Sequence, residues 1–230
     1  MVFRRIFCII IVQCILLSIA TGQTIVRPNY SLKSHETLEI NKIENTPGES
    51  VFHMSIENRT SGGYFCADRN IFILYPDGSR IKLNSSNGIP VCPDTYKFRR
   101  IGERLDFTLI FPSIMEETEW IDLIEDCTDN CFSFYGVTLD TGLNKRIDDA
   151  FHLAEEDEPD KALASLISIV EETDSRNLGI EGLLYINIIR LARDTNKSGT
   201  ASEWYQRMRL SGAPRLAQYI KYLNDQGIVY

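Results

Sequence analysis

Cys66, Cys92, Cys127 and Cys131 are the residues whose type and spacing most directly constrain chemistry. An even cysteine count in a chain made for export favours disulfides, and four cysteines allow three connectivities. Cys127 and Cys131 flank Thr128, Asp129 and Asn130, which read as a tight turn between two strand-like runs, so the two sulfurs can face each other across a hairpin. Cys66 and Cys92 bracket a second hairpin that turns at Pro76, Asp77 and Gly78. The expected pairing is therefore 66 with 92 and 127 with 131, worth roughly 3.5 and about 2 kcal/mol by loop closure. A four-cysteine zinc site is the alternative, but the chain has no C-x-x-C pair to seed one. No metal and no cofactor is expected.

Other motifs carry less. Asp140, Thr141 and Gly142 spell the D-T-G of aspartic proteases, where two such loops share one proton between paired carboxylates. Only one copy is present, at a junction where Asp and Gly serve a turn and Thr or Asn a helix cap. Asp194 to Tyr205 (DTNKSGTASEWY) places Asp, Asn, Ser and Gly at positions 1, 3, 5 and 6 of a calcium loop. Position 12 needs a bidentate Glu and is Tyr205, so a helix-to-helix turn is the expected role. His35, His53 and His152 are scattered, and the chain has no H-E-x-x-H, no G-x-S-x-G and no phosphate-cradling glycine loop. No catalytic residue is assigned, and an enzyme is not expected. The runs Glu116, Glu117, Glu119 and Glu155, Glu156, Asp157, Glu158 read as solvated faces. Trp120, Trp204 and Tyr205 could form a sugar or peptide platform, although large aromatics at these spacings usually fill a core. Asn29, Asn58, Asn84 and Asn196 each begin an N-x-[ST] sequon.

The elements that must position these residues begin behind a leader. Arg4 and Arg5 precede an apolar run from Ile6 to Leu17 broken only by Gln13, and Ala20 and Gly22 sit at −3 and −1 of a cut before Gln23. That is the layout of a signal peptide over residues 1–22, and the run is shorter than the roughly 20 residues that cross a bilayer. A cut after Ala20 is the other option. Cys14 lacks the small preceding residue that lipid attachment wants. No later segment is apolar enough to span a membrane. Export to a periplasm or to the extracellular space is expected. Loss of the leader leaves 22 basic against 32 acidic residues, a net charge of −10. Such a surface repels phosphate backbones and anionic lipid as a whole, and nucleic acid is not an expected partner.

After a lead-in over 23–36, residues 37–141 alternate in short β-branched and aromatic runs separated by Gly, Pro, Asn and Asp. Strands are predicted at Leu38 to Ile43, Val51 to Ile56, Ile71 to Tyr75, Arg80 to Leu83, Tyr96 to Phe98, Leu105 to Phe111, Trp120 to Ile124 and Phe132 to Leu139. That number of short strands suits a two-sheet sandwich. Three stretches carry a family likeness: Leu38 to Asn58 (LEINKIENTPGESVFHMSIEN), Phe72 to Gly78 (FILYPDG) and Ile101 to Pro112 (IGERLDFTLIFP). Their succession resembles the telokin-like, immunoglobulin-fold domain of exported bacterial proteins over some ninety residues. The resemblance implies an immunoglobulin-like fold, no catalytic residue and, by its bacterial setting, unmodified sequons. Cys66, Cys92 and the Gly88 to Pro93 loop (GIPVCP) depart from that pattern.

From residue 142 to 230 the period becomes helical. Helices are predicted over Asn144–Glu156, Asp160–Thr173, Gly179–Arg193, Thr200–Leu210 and Pro214–Leu223. Leu153, Ala154 and Ala162 recur as Leu191, Ala192 and Ala201 in a helix, turn, helix unit. With Asp160 to Leu163, this resembles a degenerate pair of tetratricopeptide hairpins, an ordinary helical bundle being the plain alternative. Two such units seldom bury enough surface alone, so the helices are expected to pack on the sandwich or on a partner. The fold class is thus α+β, an N-terminal antiparallel immunoglobulin-like β-sandwich followed by a C-terminal all-α helical-hairpin domain. The expected role is a non-catalytic interaction protein that holds a protein partner, and the alternative is a carbohydrate- or small-ligand-binding module that uses the sandwich loops.

Overall fold

The structure, a computed structural model, describes residues 22–173 and 177–230. The expected signal peptide lies outside the described residues except for its last position, Gly22. In chain order the strands are β1 (Gln23–Val26), β2 (Leu32–Lys33), β3 (Leu38–Asn45), β4 (Glu49–Glu57), β5 (Tyr64–Phe65), β6 (Ile71–Leu74), β7 (Arg80–Lys82), β8 (Ser85–Asn87), β9 (Tyr96–Lys97), β10 (Arg104–Pro112), β11 (Trp120–Glu125) and β12 (Ser133–Thr138). The helices follow as α1 (Thr141–Glu155), α2 (Pro159–Thr173), α3 (Glu181–Asp194), α4 (Ser198–Leu210) and α5 (Leu216–Asp225). No helix among the described residues is long and apolar enough to cross a membrane.

One antiparallel sheet runs β1-β3-β4-β10-β8 and a second runs β2-β12-β11-β6-β7, while β5 and β9 form a separate pair. Period-two sequence builds the first sheet. Leu105, Phe107, Leu109 and Phe111 of β10 point inward while Arg104 and Asp106 face water. Phe107 pairs with Met54 and Leu109 with Phe52 across to β4. These residues join Ile71, Ile73, Ile121, Leu123 and Phe134 of the second sheet in one apolar cluster, so the two sheets share a core.

Strand β11 breaks the alternation. Trp120, Ile121, Asp122 and Leu123 are all buried, the signature of a strand covered on both faces. Its outer cover is the helical half. The helices pack in sequence, α1 on α2, α2 on α3 and α3 on α4, with α5 returning onto α3. Asp140 starts α1 by accepting from the Gly142 and Leu143 N–H groups at 2.8 and 3.0 Å. Pro159 opens α2, where a missing N–H costs nothing.

Residues 23–36 do more than lead in. Gln23–Val26 pairs with β3, and Leu32–Lys33 pairs with β12, so this segment stitches both sheets. These strands, with Tyr64–Phe65 and Ser85–Asn87, are two to four residues long or polar and show no period to read. Disulfides join Cys66 to Cys92 and Cys127 to Cys131. Opening the first with a Cys66→Ser, Cys92→Ser double substitution is expected to cost roughly 3.5 kcal/mol. A urea midpoint unmoved from the parent's would refute that value.

Candidate functional site

Both disulfides face one cleft at the loop end of the strand-rich half, with a volume of about 640 Å³. One wall is the β5 and β9 pair, locked to the following loop by the Cys66–Cys92 bond and by Ala67, whose N–H donates to the Pro90 carbonyl while its carbonyl accepts from Cys92 N. The opposite wall is the β11 to β12 turn, closed by Cys127–Cys131. Phe65 and Phe98 supply buried apolar floor. Tyr64, paired across the strands with Lys97, stands on the rim at 64% exposed.

Polar groups fix the walls. Glu125 is buried, and its two carboxylate oxygens accept from Asp68 N at 2.7 Å and Phe132 N at 2.9 Å. Burial pushes its carboxyl above the ordinary range, and the two N–H bonds only partly offset this. Asn58 is buried too, and its side-chain amide donates to the Thr60 and Arg100 carbonyls, both at 2.8 Å. His35 is held below its usual pKa by burial and therefore stays neutral at pH 7. Its Nδ1 lies 2.8 Å from Ser34 Oγ, but that hydroxyl already accepts from Ser133 N. Among the described residues no carboxylate bonds the other imidazole nitrogen, so the pair lacks the orienting third group of an acyl-transfer site. The arrangement offers shape, an aromatic face and fixed dipoles.

The remaining sequence candidates lie elsewhere. His53 bonds Glu44 at 2.6 Å on the first sheet, and His152 pairs with Glu155 on α1, so the three histidines do not meet. Asp140 is spent as the α1 cap, the role given above to Thr or Asn. Within the sequence of the calcium-loop candidate, α4 already begins at Ser198, and Lys197 reaches Asp160 at 2.7 Å. Its last two residues, Trp204 and Tyr205, are helical core. Among the described residues no group of three or more His, Cys, Asp or Glu is placed to hold a metal. Trp120 is no platform. It is buried, its indole N–H donates to the Asn177 carbonyl at 2.9 Å, and Gly179 lies against its ring. Of the sequons, Asn58 is consumed in the wall and Asn29 bonds Asn144 and Asp148, whereas Asn84 and Asn196 are exposed.

Tyr64 and the cleft it overlooks were not legible in the sequence. The available signal is local: an aromatic next to a glycine pair and a cysteine, in SGGYFC. No family model, curated protein or solved structure matches the chain.

Proposed function

We propose that this chain is an exported, non-catalytic binding protein whose disulfide-braced cleft takes up a segment of a protein partner. In this reading the two sheets are an immunoglobulin-like sandwich of the telokin-like kind. The helices are a degenerate tetratricopeptide-like array that buttresses the sandwich. The observation that carries the reading is the cleft itself: its volume of about 640 Å³ falls in the roughly 300–1,000 Å³ range of ligand sites. Its mixture of apolar floor, fixed polar groups and an exposed aromatic is the composition of a binding surface rather than of a reaction centre. The helical half offers less room, with a cleft of about 330 Å³ between α2, α3 and the α4–α5 connection.

A photoreactive phenylalanine analogue at position 64, in chain recovered from its own exported fraction, tests the reading. A discrete covalent adduct with one protein is expected, and it should be absent with the probe at Tyr222 on α5. Tyr64→Ala should weaken capture of that protein by about 30-fold, the effect of a hot-spot residue worth about 2 kcal/mol. Equal labelling from both positions would sink the proposal. A second reading, a carbohydrate-binding module, draws on the same exposed ring, since sugars stack on aromatics flanked by amides and carboxylates. Glycan binding lost in Tyr64→Ala, with no protein adduct, would select it. Trp120, buried beneath the helices, is the wrong residue for that test.

A further inference from the structure

Beside the cleft, on residues that do not line it, the β9 to β10 turn carries Lys97, Arg99, Arg100 and Ile101 at the surface. Ile101 is 61% exposed at the turn's apex, and Tyr64, the cross-strand partner of Lys97, adds a second exposed apolar face. Segments 57–64 and 96–106 together hold five cations (Arg59, Lys97, Arg99, Arg100, Arg104) against three carboxylates (Glu57, Glu103, Asp106), a net of +2 in a chain otherwise strongly acidic. Arg59 pairs with Glu57 and Arg104 with Asp106. Among the described residues Lys97, Arg99 and Arg100 make no ion pair.

The tip is built stiffly. Glu103 turns its carboxylate inward, where it accepts from the Tyr96 hydroxyl at 2.7 Å and from the Arg99 and Arg100 N–H groups at 2.6 and 3.3 Å. Gly102 donates to the Asn58 carbonyl, and Asn58 holds the Arg100 carbonyl in turn. The backbone of the turn is therefore fixed from within, and the cationic side chains with Ile101 are what it presents outward.

We propose that this tip docks the protein onto an anionic lipid surface, with Ile101 and Tyr64 entering the headgroup layer and Lys97, Arg99 and Arg100 meeting the lipid phosphates. The net negative charge of the whole chain does not forbid this. Fields are screened over about 8 Å at physiological salt, so the surface responds to the charges nearest it. An aliphatic residue at the apex separates lipid from an acidic peptide as the occupant. A row of acidic side chains would be met by the cations alone, whereas a bilayer also takes up the apolar apex. The proposal shares Tyr64 with the cleft's rim, whereas its test positions, Lys97, Arg100 and Ile101, do not line the cleft.

The test is co-sedimentation of the processed chain, beginning at Gln23, with vesicles of equal parts phosphatidylcholine and phosphatidylglycerol, against vesicles of phosphatidylcholine alone. Binding is expected only to the anionic vesicles and should weaken as salt rises. Lys97→Glu with Arg100→Glu should lower affinity by at least about tenfold, since each cation near an anionic surface is worth about fivefold. Ile101→Ser should lower it about threefold without changing the salt dependence. Melting temperatures of the variants should match the parent's, because these side chains are exposed. No binding to anionic vesicles at low salt overturns the proposal, as does binding that the charge reversals leave intact. Equal competition by polyglutamate together with an inert Ile101→Ser would also overturn it, in favour of an acidic polymer as the occupant.

Discussion

Gly136→Ala is expected to lower stability by about 4 kcal/mol or more, the exceptional end of single-residue effects. An added Cβ at this position would sit 1.8 Å from the Gly179 carbonyl oxygen, a backbone atom with no rotamer to yield. Gly136 also has φ of +61°, a conformation that L side chains resist. Its own N–H donates to Asp122 at 2.7 Å, so the strand cannot swing aside without stranding a buried carboxylate. For a domain of this size the loss corresponds to a fall of about 8–16 °C in melting temperature. Emission from Trp120, enclosed beneath Gly179, should shift to longer wavelength as the helices part from the sheet. Gly199→Ala is the control: its Cβ meets nothing within 4 Å, and alanine in a helix gains up to about 1 kcal/mol over glycine. A Gly136→Ala protein that melts within a degree or two of the parent would show that the close approach has been misplaced.

Such contacts tie the two halves together. Ser31 of the strand half donates to the Gly179 carbonyl at 2.6 Å, Trp120 donates to Asn177 at 2.9 Å, and Gly182 lets the Tyr219 ring close onto α3. Glycines at these places trade side-chain burial for backbone contact, which holds two layers closer than ordinary packing allows. The outer face of the second sheet is thereby occupied by helices. The loop end, with its two disulfides, lies outside that cover.

Much of this architecture was legible in the sequence, and particular residues show why the rest was not. The alternation Leu105, Phe107, Leu109, Phe111 names both a strand and its inward face, because period two has no other reading over nine residues. The helical spacings after Gly142 likewise give five helices with ends within a few residues. The cleft was hidden because Tyr64 and Phe65 make a strand of two residues, with no period to detect, and because its walls come from segments sixty residues apart. Trp120 was half read: its strand follows from pattern, but that helices cover its ring depends on a tertiary contact through Gly179. The basic tip was obscured by averaging, since an overall acidic count says nothing about four residues gathered at one turn.

Asp122 tests the junction from its polar side. It is 2% exposed on β11, and one carboxylate oxygen accepts from Gly136 N while the other meets the Arg215 guanidinium. Arg215 precedes α5 with φ of +61° and lies over the Tyr135 ring at 4.1 Å, so its guanidinium is held by the carboxylate on one side and the ring on the other. Asp122→Ala leaves a largely buried cation and a buried N–H without their acceptor, at an expected cost of about 4 kcal/mol. Asp122→Asn keeps one acceptor oxygen, enough for Gly136 N, but sets its amide NH2 against the Arg215 guanidinium, and should cost less than the alanine change, about 2 kcal/mol. The pH dependence separates charge from hydrogen bonding. Burial pushes the Asp122 carboxyl above its ordinary value, against the opposing pull of Gly136 N–H and Arg215. A raised folded-state value means the folded protein holds a proton that the unfolded chain has released. The associated stability is complete below the unfolded value near 4 and is lost as pH rises through the folded one. Glu125 and Glu181, also raised by burial, act in the same sense. Asparagine does not titrate, so the gap between parent and Asp122→Asn should be widest below about pH 4 and narrow steadily as pH rises in urea melts. A gap that widens with pH instead would mean that the ionised Asp122–Arg215 pair outweighs the cost of burying it.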